Sequence, residues 1–437
     1  MKRTVLTLMA LMVLGGTCAV AQNLGNPAET PDYGFIRIGE IQSTTRNNVG
    51  AANFLFPSGD KLVTGLHSSI SADDFLGGLK AANSLYGQMD YNLVSYGWKA
   101  SKGYFTVDVG ARANYGLSMP KEVFQILKTG TAQSPYDLSR LNAFGNLYGE
   151  IACGYSYPLG DNLTVGARVK LLVGLNSVSL DVRKLDFITT EDEYTVDLDA
   201  DIDLTNRSKK AGADENGYLD FSSFKGKGKL GFPCGAGLAA DLGMVWKPFQ
   251  GFTVSASVLD LGGIFWYYGN AGSSSGSYTF NGLKDLSTEE MDAETISAKL
   301  REAGEELLSV VKPKAVEKRF RLRSLPLNAN MKASYALPFF DMLSVDMYGQ
   351  YAGYSFCAPY WEARGGLSFD YPGLARIALS AGSGAFGFVY GVSGSVDFLS
   401  FRLYASYENG IGGVIPYEDI PLKANNKFLT FGLTYKL

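Results

Sequence analysis

A period of two that recurs along most of the chain, interrupted by connections of two very different sizes, limits what it can fold into. Over residues 104–115, Phe105, Val107, Val109, Ala111, Ala113 and Tyr115 alternate with Thr106, Asp108, Gly110, Arg112 and Asn114. Over 163–173, Leu163, Val165, Ala167, Val169, Leu171 and Val173 alternate with Thr164, Gly166, Arg168 and Lys170. Leu238, Ala240, Leu242, Met244 and Trp246 repeat the pattern, as do Leu399, Phe401, Leu403, Ala405 and Tyr407. Successive side chains of a strand point to opposite faces, so each segment is a ribbon apolar on one side only. The sequence predicts about 14 such strands, at 34–46, 87–99, 103–116, 144–158, 162–178, 236–247, 251–266, 320–336, 342–353, 361–370, 374–383, 386–397, 399–409 and 427–437.

Connections separate a sandwich from a barrel. Those at 99–103, 159–162, 247–251, 337–341, 371–373 and 398 are short; those at 117–143, 179–235, 267–319 and 410–426 are long. If Leu437 lies in the periplasm and the side flips at every strand, each of these short connections is periplasmic and each long one external. Outer-membrane barrels sort their connections this way, and a sandwich does not require it. The expected fold is all-β: a transmembrane antiparallel up-and-down β-barrel with short helices in its loops.

Composition agrees with strands that face two different solvents. The chain carries 26 Phe, 26 Tyr and 52 Gly, yet its mean hydropathy is +0.00. Lys2 and Arg3, an apolar run over 5–14 and Ala19-Val20-Ala21 read as an export signal spanning 1–21. The run is too short for a membrane anchor, and Thr17 before Cys18 departs from a lipoprotein signal. Beyond it Cys153, Cys234 and Cys357 form no disulfide framework. A pI near 5.3 gives no reason to expect nucleic acid.

The long loops at 179–235 and 267–319 carry patterns of their own. Asp197, Asp199, Asp201 and Asp203 share one strand face, and Lys225, Lys227 and Lys229 alternate downstream, which predicts a hairpin pairing acidic and basic strips. Carboxylates along one strand lack the wrapping loop calcium requires, so no metal site is expected. Ser71 with Asp73 and Asp74 opens a helix over 71–83. Ser287 to Glu290 has capping-box spacing ahead of Ile296, Leu300, Ala303, Leu307 and Val311, an amphipathic helix that docks on neighbouring loops.

Catalytic chemistry finds little support. The single histidine, His67, precedes Ser68 and Ser69 with no strained nucleophile turn. No cofactor motif is present, and the glycines at 226, 228, 382, 384 and 387 open no helix. What remains is the polar face of the strands: Asp108, Arg112, Glu150, Arg168, Lys170, Glu362, Arg364 and Arg402 are candidate lumen-lining residues. A ladder of both signs either fills the bore or tunes what passes.

Several stretches carry a family resemblance. The last strand, with Gly432, Tyr435 and Leu437, resembles the insertion signal that closes bacterial outer-membrane barrels, where Phe or Trp more often ends the chain. Residues 153–175 (CGYSYPLGDNLTVGARVKLLVGL), 253–262 (TVSASVLDLG) and Asn26-Pro27-Ala28 are similar to a domain-of-unknown-function family of Bacteroidota outer-membrane barrels. That family is distantly similar to FadL-type transporters of hydrophobic compounds. The resemblance implies a FadL-like barrel over 34–437 and a plug-like segment over 22–33 bearing Asn26, Pro27 and Ala28. It implies outer-membrane lipid and the barrel assembly machinery as partners, with a hydrophobic small molecule as ligand. Two functions stay open: passage of small hydrophobic molecules, or a non-transporting surface barrel that binds secreted or envelope proteins. A lipid-modifying enzyme built on His67 is the weaker third.

Overall fold

Ribbons apolar on one face leave no water-soluble sheet edge to spare, and in hydrocarbon every backbone N–H and C=O must find a partner within the protein. The chain meets both conditions by closing on itself. The computed structural model describes residues 25–50, 53–59, 61–131, 134–205, 213–220, 233–281, 293–316, 319–353, 359–411, 415–417, 420–422 and 425–437. The expected export signal over 1–21, Cys357, the capping box at 287–290 and Lys225, Lys227 and Lys229 lie outside them.

The wall runs β1 (Phe35–Asn47), β2 (Ala82–Lys99), β3 (Tyr104–Pro120), β4 (Asn142–Pro158), β5 (Leu163–Thr189), β6 (Gly235–Phe249) and β7 (Phe252–Tyr268). It continues with β8, in two segments Arg319–Ser324 and Leu327–Leu337, then β9 (Phe340–Gly353), β10 (Tyr360–Tyr371) and β11 (Ala375–Gly384). β12 (Gly387–Phe398), β13 (Phe401–Ile411) and β14 (Asn425–Lys436) complete it. Each strand pairs antiparallel with its neighbours in sequence, and β14 pairs with β1 from Phe35↔Lys436 to Thr45↔Lys427. The barrel is closed, with 14 strands, and all the segments expected from the sequence are present.

Alternation places the faces as read. Along β14, Leu429, Phe431, Leu433, Tyr435 and Leu437 point outward, while Thr430 and Thr434 are buried inside. Along β5, Val169 and Leu171 are 58% and 54% exposed on the outside, against 3% for the inward Lys170. Aromatic rings gather near the short-turn rim: Tyr96, Trp98, Phe105 and Tyr155 contact in series at 5.0, 5.4 and 4.5 Å between centroids. Such girdles mark a bilayer interface, where a ring buries its apolar body and keeps its polar edge wet. Among the described residues no helix is long and apolar enough to cross a membrane.

The long-loop rim departs from expectation. Residues 179–235 and 267–319 read as long loops with a strand at the Asp row; that strand is present as Tyr194–Leu204, but β5 also runs on to Thr189 and Asn270–Phe280 is a further strand. Tyr194–Leu204 pairs with the upper part of β5 and with Asn270–Phe280, so it continues the wall where β6 gives out at Gly235. The Asp row is therefore laddered to β5 and to Asn270–Phe280 in the described structure. Helix α1 (Ala72–Gly77) is capped as predicted, the Ser71 hydroxyl accepting from the Asp74 N–H, but it ends early because β2 begins at Ala82. Helix α2 (Lys121–Thr129) has no counterpart among the sequence expectations. Helix α3 (Ala293–Val311) packs on Asn270–Phe280, where Val310 covers Gly276.

Replacing Leu171 by Arg puts a charge on the hydrocarbon face and is expected to destabilise the barrel by about 2–4 kcal/mol. Equilibrium urea unfolding in lipid measures this, with Leu171→Ile as the near-neutral control.

Candidate functional site

The interior of the barrel is built from residues on inward positions, and bulges decide which those are. In β1, Gly39 takes a φ of 71° and shifts the register with β14 between Ile38 and Ile41. Arg37 and Glu40 then both face inward and pair at 3.1 Å, while the Tyr404 hydroxyl donates to Glu40. In β7, Ser255 and Ser257 are buried before Asp260, whose φ is 63°; beyond it Ile264, Trp266 and Tyr268 are buried instead.

Six of the predicted lumen residues, Asp108, Arg112, Glu150, Arg168, Lys170 and Arg402, line one cavity of about 810 Å³. Five of them belong to a single ionic network at mid-height. Arg112 reaches Asp90 at 2.6 Å, Asp260 at 2.9 Å and Glu150 at 3.6 Å. Lys170 Nζ reaches Asp260 at 2.7 Å, Asp241 at 2.8 Å and Glu150 at 3.8 Å. Arg168 lies 3.4 Å from Asp241 and 3.6 Å from Asp108. The Asp260 N–H also donates to Asp241 at 2.8 Å. Arg402 stands apart, bidentate on Asp397, which Lys436 also reaches at 2.7 Å.

Glu362 and Arg364 do not line that cavity. Arg364 sits between Glu362 at 3.1 Å and Glu408 at 3.0 Å, with its guanidinium 4.5 Å from the Tyr348 ring centre. A Cβ on Gly391 would come within 2.4 Å of Arg364 Nη1, so the glycine makes room for this buried cluster.

Asn26, Pro27 and Ala28 sit inside the barrel. The Asn26 amide donates to the carbonyls of Met244 at 3.2 Å and Ala256 at 3.3 Å, and its Oδ1 accepts from the Ala28 N–H at 2.9 Å. Gly166 and Gly243, directly paired across β5 and β6, form the seat. A Cβ on Gly243 would fall 1.9 Å from Asn26 Oδ1, and one on Gly166 2.4 Å from the Pro27 carbonyl carbon. Gly432 is likewise inward and receives the Tyr404 ring, while Tyr435 and Leu437 face out and the Leu437 N–H donates to the Gly34 carbonyl at 2.7 Å.

Above the network an apolar cluster, Tyr148, Leu172, Ala239, Ile264, Trp266, Tyr268 and Leu325, fills the β4–β8 side. Over it stands the raised wall, where the Asp row meets arginines. Arg319 reaches Asp203 at 2.9 Å and Asp201 at 3.0 Å, Arg321 reaches Asp203 at 2.8 Å, and Arg183 clasps Asp199 and Asp201. Burial alone would raise Asp201, but the bonds from Arg183 and Ser273 and the charge of Arg319 hold it below the usual carboxylate range. Sequence reasoning misses Arg319, Arg321 and Arg323, although their spacing of two is plain in it. Among the described residues no group of side chains could hold a metal ion. His67 lies exposed in the loop before α1, its Nδ1 2.8 Å from Ser69 Oγ.

Residues 27–381 match the family of unknown function DUF5723, and the chain belongs to that family. No curated protein matches the chain. Solved structures similar to it include the Pseudomonas putida toluene transporter TodX, at 9% identity over 96% of this chain and 94% of that one, TM-score 0.43. A Pseudomonas aeruginosa FadL homologue is similar at 12% identity over 94% and 92%, TM-score 0.45. The Ralstonia pickettii toluene transporter TbuX is similar at 9% identity over 95% and 93%, TM-score 0.45.

Gly243→Leu is expected to unseat residues 25–33 while leaving the barrel closed, seen as new proteolytic cleavage within them in protein that still migrates as folded on unheated gels. Lys170→Met strands Asp241 and Asp260 without their shared cation. It is expected to lower stability by about 3–5 kcal/mol, read from the urea midpoint.

Proposed function

We propose that this member of the DUF5723 family is an outer-membrane barrel that passes small, largely hydrophobic molecules. The observation that supports this most is a second cavity of about 170 Å³ in the loop-side half of the bore, walled by Phe144, Tyr148, Ile264, Trp266, Tyr268 and Leu325. A volume of roughly 150 Å³ is enough to hold one benzene-sized ring. The cavity abuts an irregularity in the wall: β7 and β8 pair at Leu259↔Asn328 and again at Gly263↔Ser324, with Leu325 and Pro326 between and the Leu325 N–H donating to the Gly262 carbonyl at 2.9 Å. Pro326 has no N–H to give to the ladder. Asn114, Asn146, Ser177, Ser179, Arg323 and Ser324 complete the lining, which suits an aromatic molecule carrying a polar substituent. The outward apolar belt and the aromatic girdle support placement in the outer membrane.

One observation favours the surface-binding alternative. The raised wall is pinned by the Asp201–Asp203 and Arg319–Arg321 pairs, a rigid platform larger than a channel rim needs.

Titration calorimetry of the purified barrel with p-cresol separates the two. The transport reading expects saturable binding, weakened at least about tenfold, or roughly 1.4 kcal/mol, by Ile264→Trp, which fills the cavity. Absence of binding by folded protein would leave the platform as the working surface.

A further inference from the structure

The polar rung that walls the smaller cavity ends on a buried amide. Gln88, Asn114, Asn146 and Ser177 stand in one register row across β2, β3, β4 and β5, and all four face inward. From the β5 end the row is satisfied link by link. The Ser177 hydroxyl donates to Asn146 Oδ1 at 2.7 Å, which spends its one hydrogen. The Tyr268 hydroxyl, 3.0 Å from Ser177 Oγ, is therefore the donor in that pair. Asn146 Nδ2 in turn donates to Asn114 Oδ1 at 3.1 Å. There the row breaks. Gln88, the next residue along, is turned elsewhere: its oxygen accepts from the Tyr86 hydroxyl and its amide donates to both oxygens of Asp90.

Asn114 is only 4% exposed and lines the 170 Å³ cavity. Among the described residues its Nδ2 meets no acceptor, although its Oδ1 is bonded. A buried donor without a partner is costly, and a bound group that accepts from it removes that cost. Towards the loop end the Phe144 ring covers Gly116, where a Cβ would come within 2.2 Å of it. An aromatic wall and an unspent N–H thus stand side by side. Arg323, the charged group of this lining, is committed to Asp181 at 3.2 Å and Ser179 at 2.7 Å. An anionic ligand would therefore lie buried without a free cation, which disfavours it.

We infer that Asn114 is the specificity-determining residue of the aromatic cavity, its Nδ2 donating to a ligand whose ring bears a neutral hydrogen-bond acceptor such as a carbonyl or nitrile. The inference rests on the transport reading and narrows it: a plain hydrocarbon ring leaves the amide unpaired, whereas an acceptor-bearing ring pairs it.

Titration calorimetry of the full barrel with p-tolunitrile and p-xylene tests this, since the two share a ring and one methyl group and differ in the acceptor. p-Tolunitrile is expected to bind at least about tenfold tighter than p-xylene. Asn114→Asp keeps an oxygen for Asn146 and replaces the donor by an acceptor; Asn114→Leu removes both polar atoms and serves as the second variant. Each is expected to bind p-xylene as the unaltered barrel does and to lose the preference for the nitrile. A merely structural role would weaken both compounds together, so the ratio reads the hydrogen bond. Equal affinities in the unaltered barrel, a preference kept by either folded variant, or loss of p-xylene binding in both would overturn the role of Asn114, with p-cresol binding still upholding the transport reading. Folded protein that binds none of the three compounds would overturn both.

Discussion

The ladder that joins β14 to β1 is the interaction on which everything else rests. Until Asn425–Lys436 and Phe35–Asn47 pair, two rows of backbone donors and acceptors face hydrocarbon, each at several kcal/mol. Once they pair, the sheet has no edge, and its outward side chains, apolar strand after strand, are solvated by lipid. Gly432 belongs to the same junction: its missing side chain receives the Tyr404 ring, whose hydroxyl binds Glu40 across the seam.

Closure creates a second problem inside, where the polar faces of 14 strands converge with limited water. The chain solves it by dividing the bore. On the β4–β8 side, inward aromatics and leucines pack against one another beside the smaller cavity. At mid-height, charges are matched so densely that Lys170 and Asp241, both almost fully buried, each contact more than one opposite charge. Buried pairs of this kind add little net stability, but removing one partner is severe. Their effect is to make the bore rigid and to fix where its open volume lies. The small seats at Gly166 and Gly243 serve the same end by locking residues 26–28 against the wall.

The raised wall extends this logic beyond the membrane. A strand of 27 residues such as β5 is far longer than a bilayer needs, and its outer part would be an exposed edge without Tyr194–Leu204 beside it. The Asp row on that strand then faces the arginines of β8, and α3 with Val182, Leu198, Ala200 and Val310 closes the opposite face. The result is a stiff collar over one sector of the barrel.

The closed, membrane-spanning, 14-strand wall was legible in the residues alone, because a period of two and the sorting of short and long connections are local properties that no packing partner can reverse. Most of the lumen charges were legible too, since Asp108, Arg112, Glu150, Arg168 and Lys170 lie where simple alternation puts them. Asp241, buried on the inward face between Ala240 and Leu242, follows the same rule and was open to the same reasoning. The remaining features belong to the folded chain. Asp260, Glu40, Trp266 and Ser177 face inward because a bulge beside each shifts the alternation by one residue, and a bulge is set by how neighbouring strands register, not by the residues in the strand alone. The β8 arginines that meet the Asp row and the seat of Asn26 were equally out of reach. Arg319 with Asp203 and Asn26 with Met244 each join segments more than 100 residues apart in the chain, and such pairings exist only once the wall has closed and brought them to the same height.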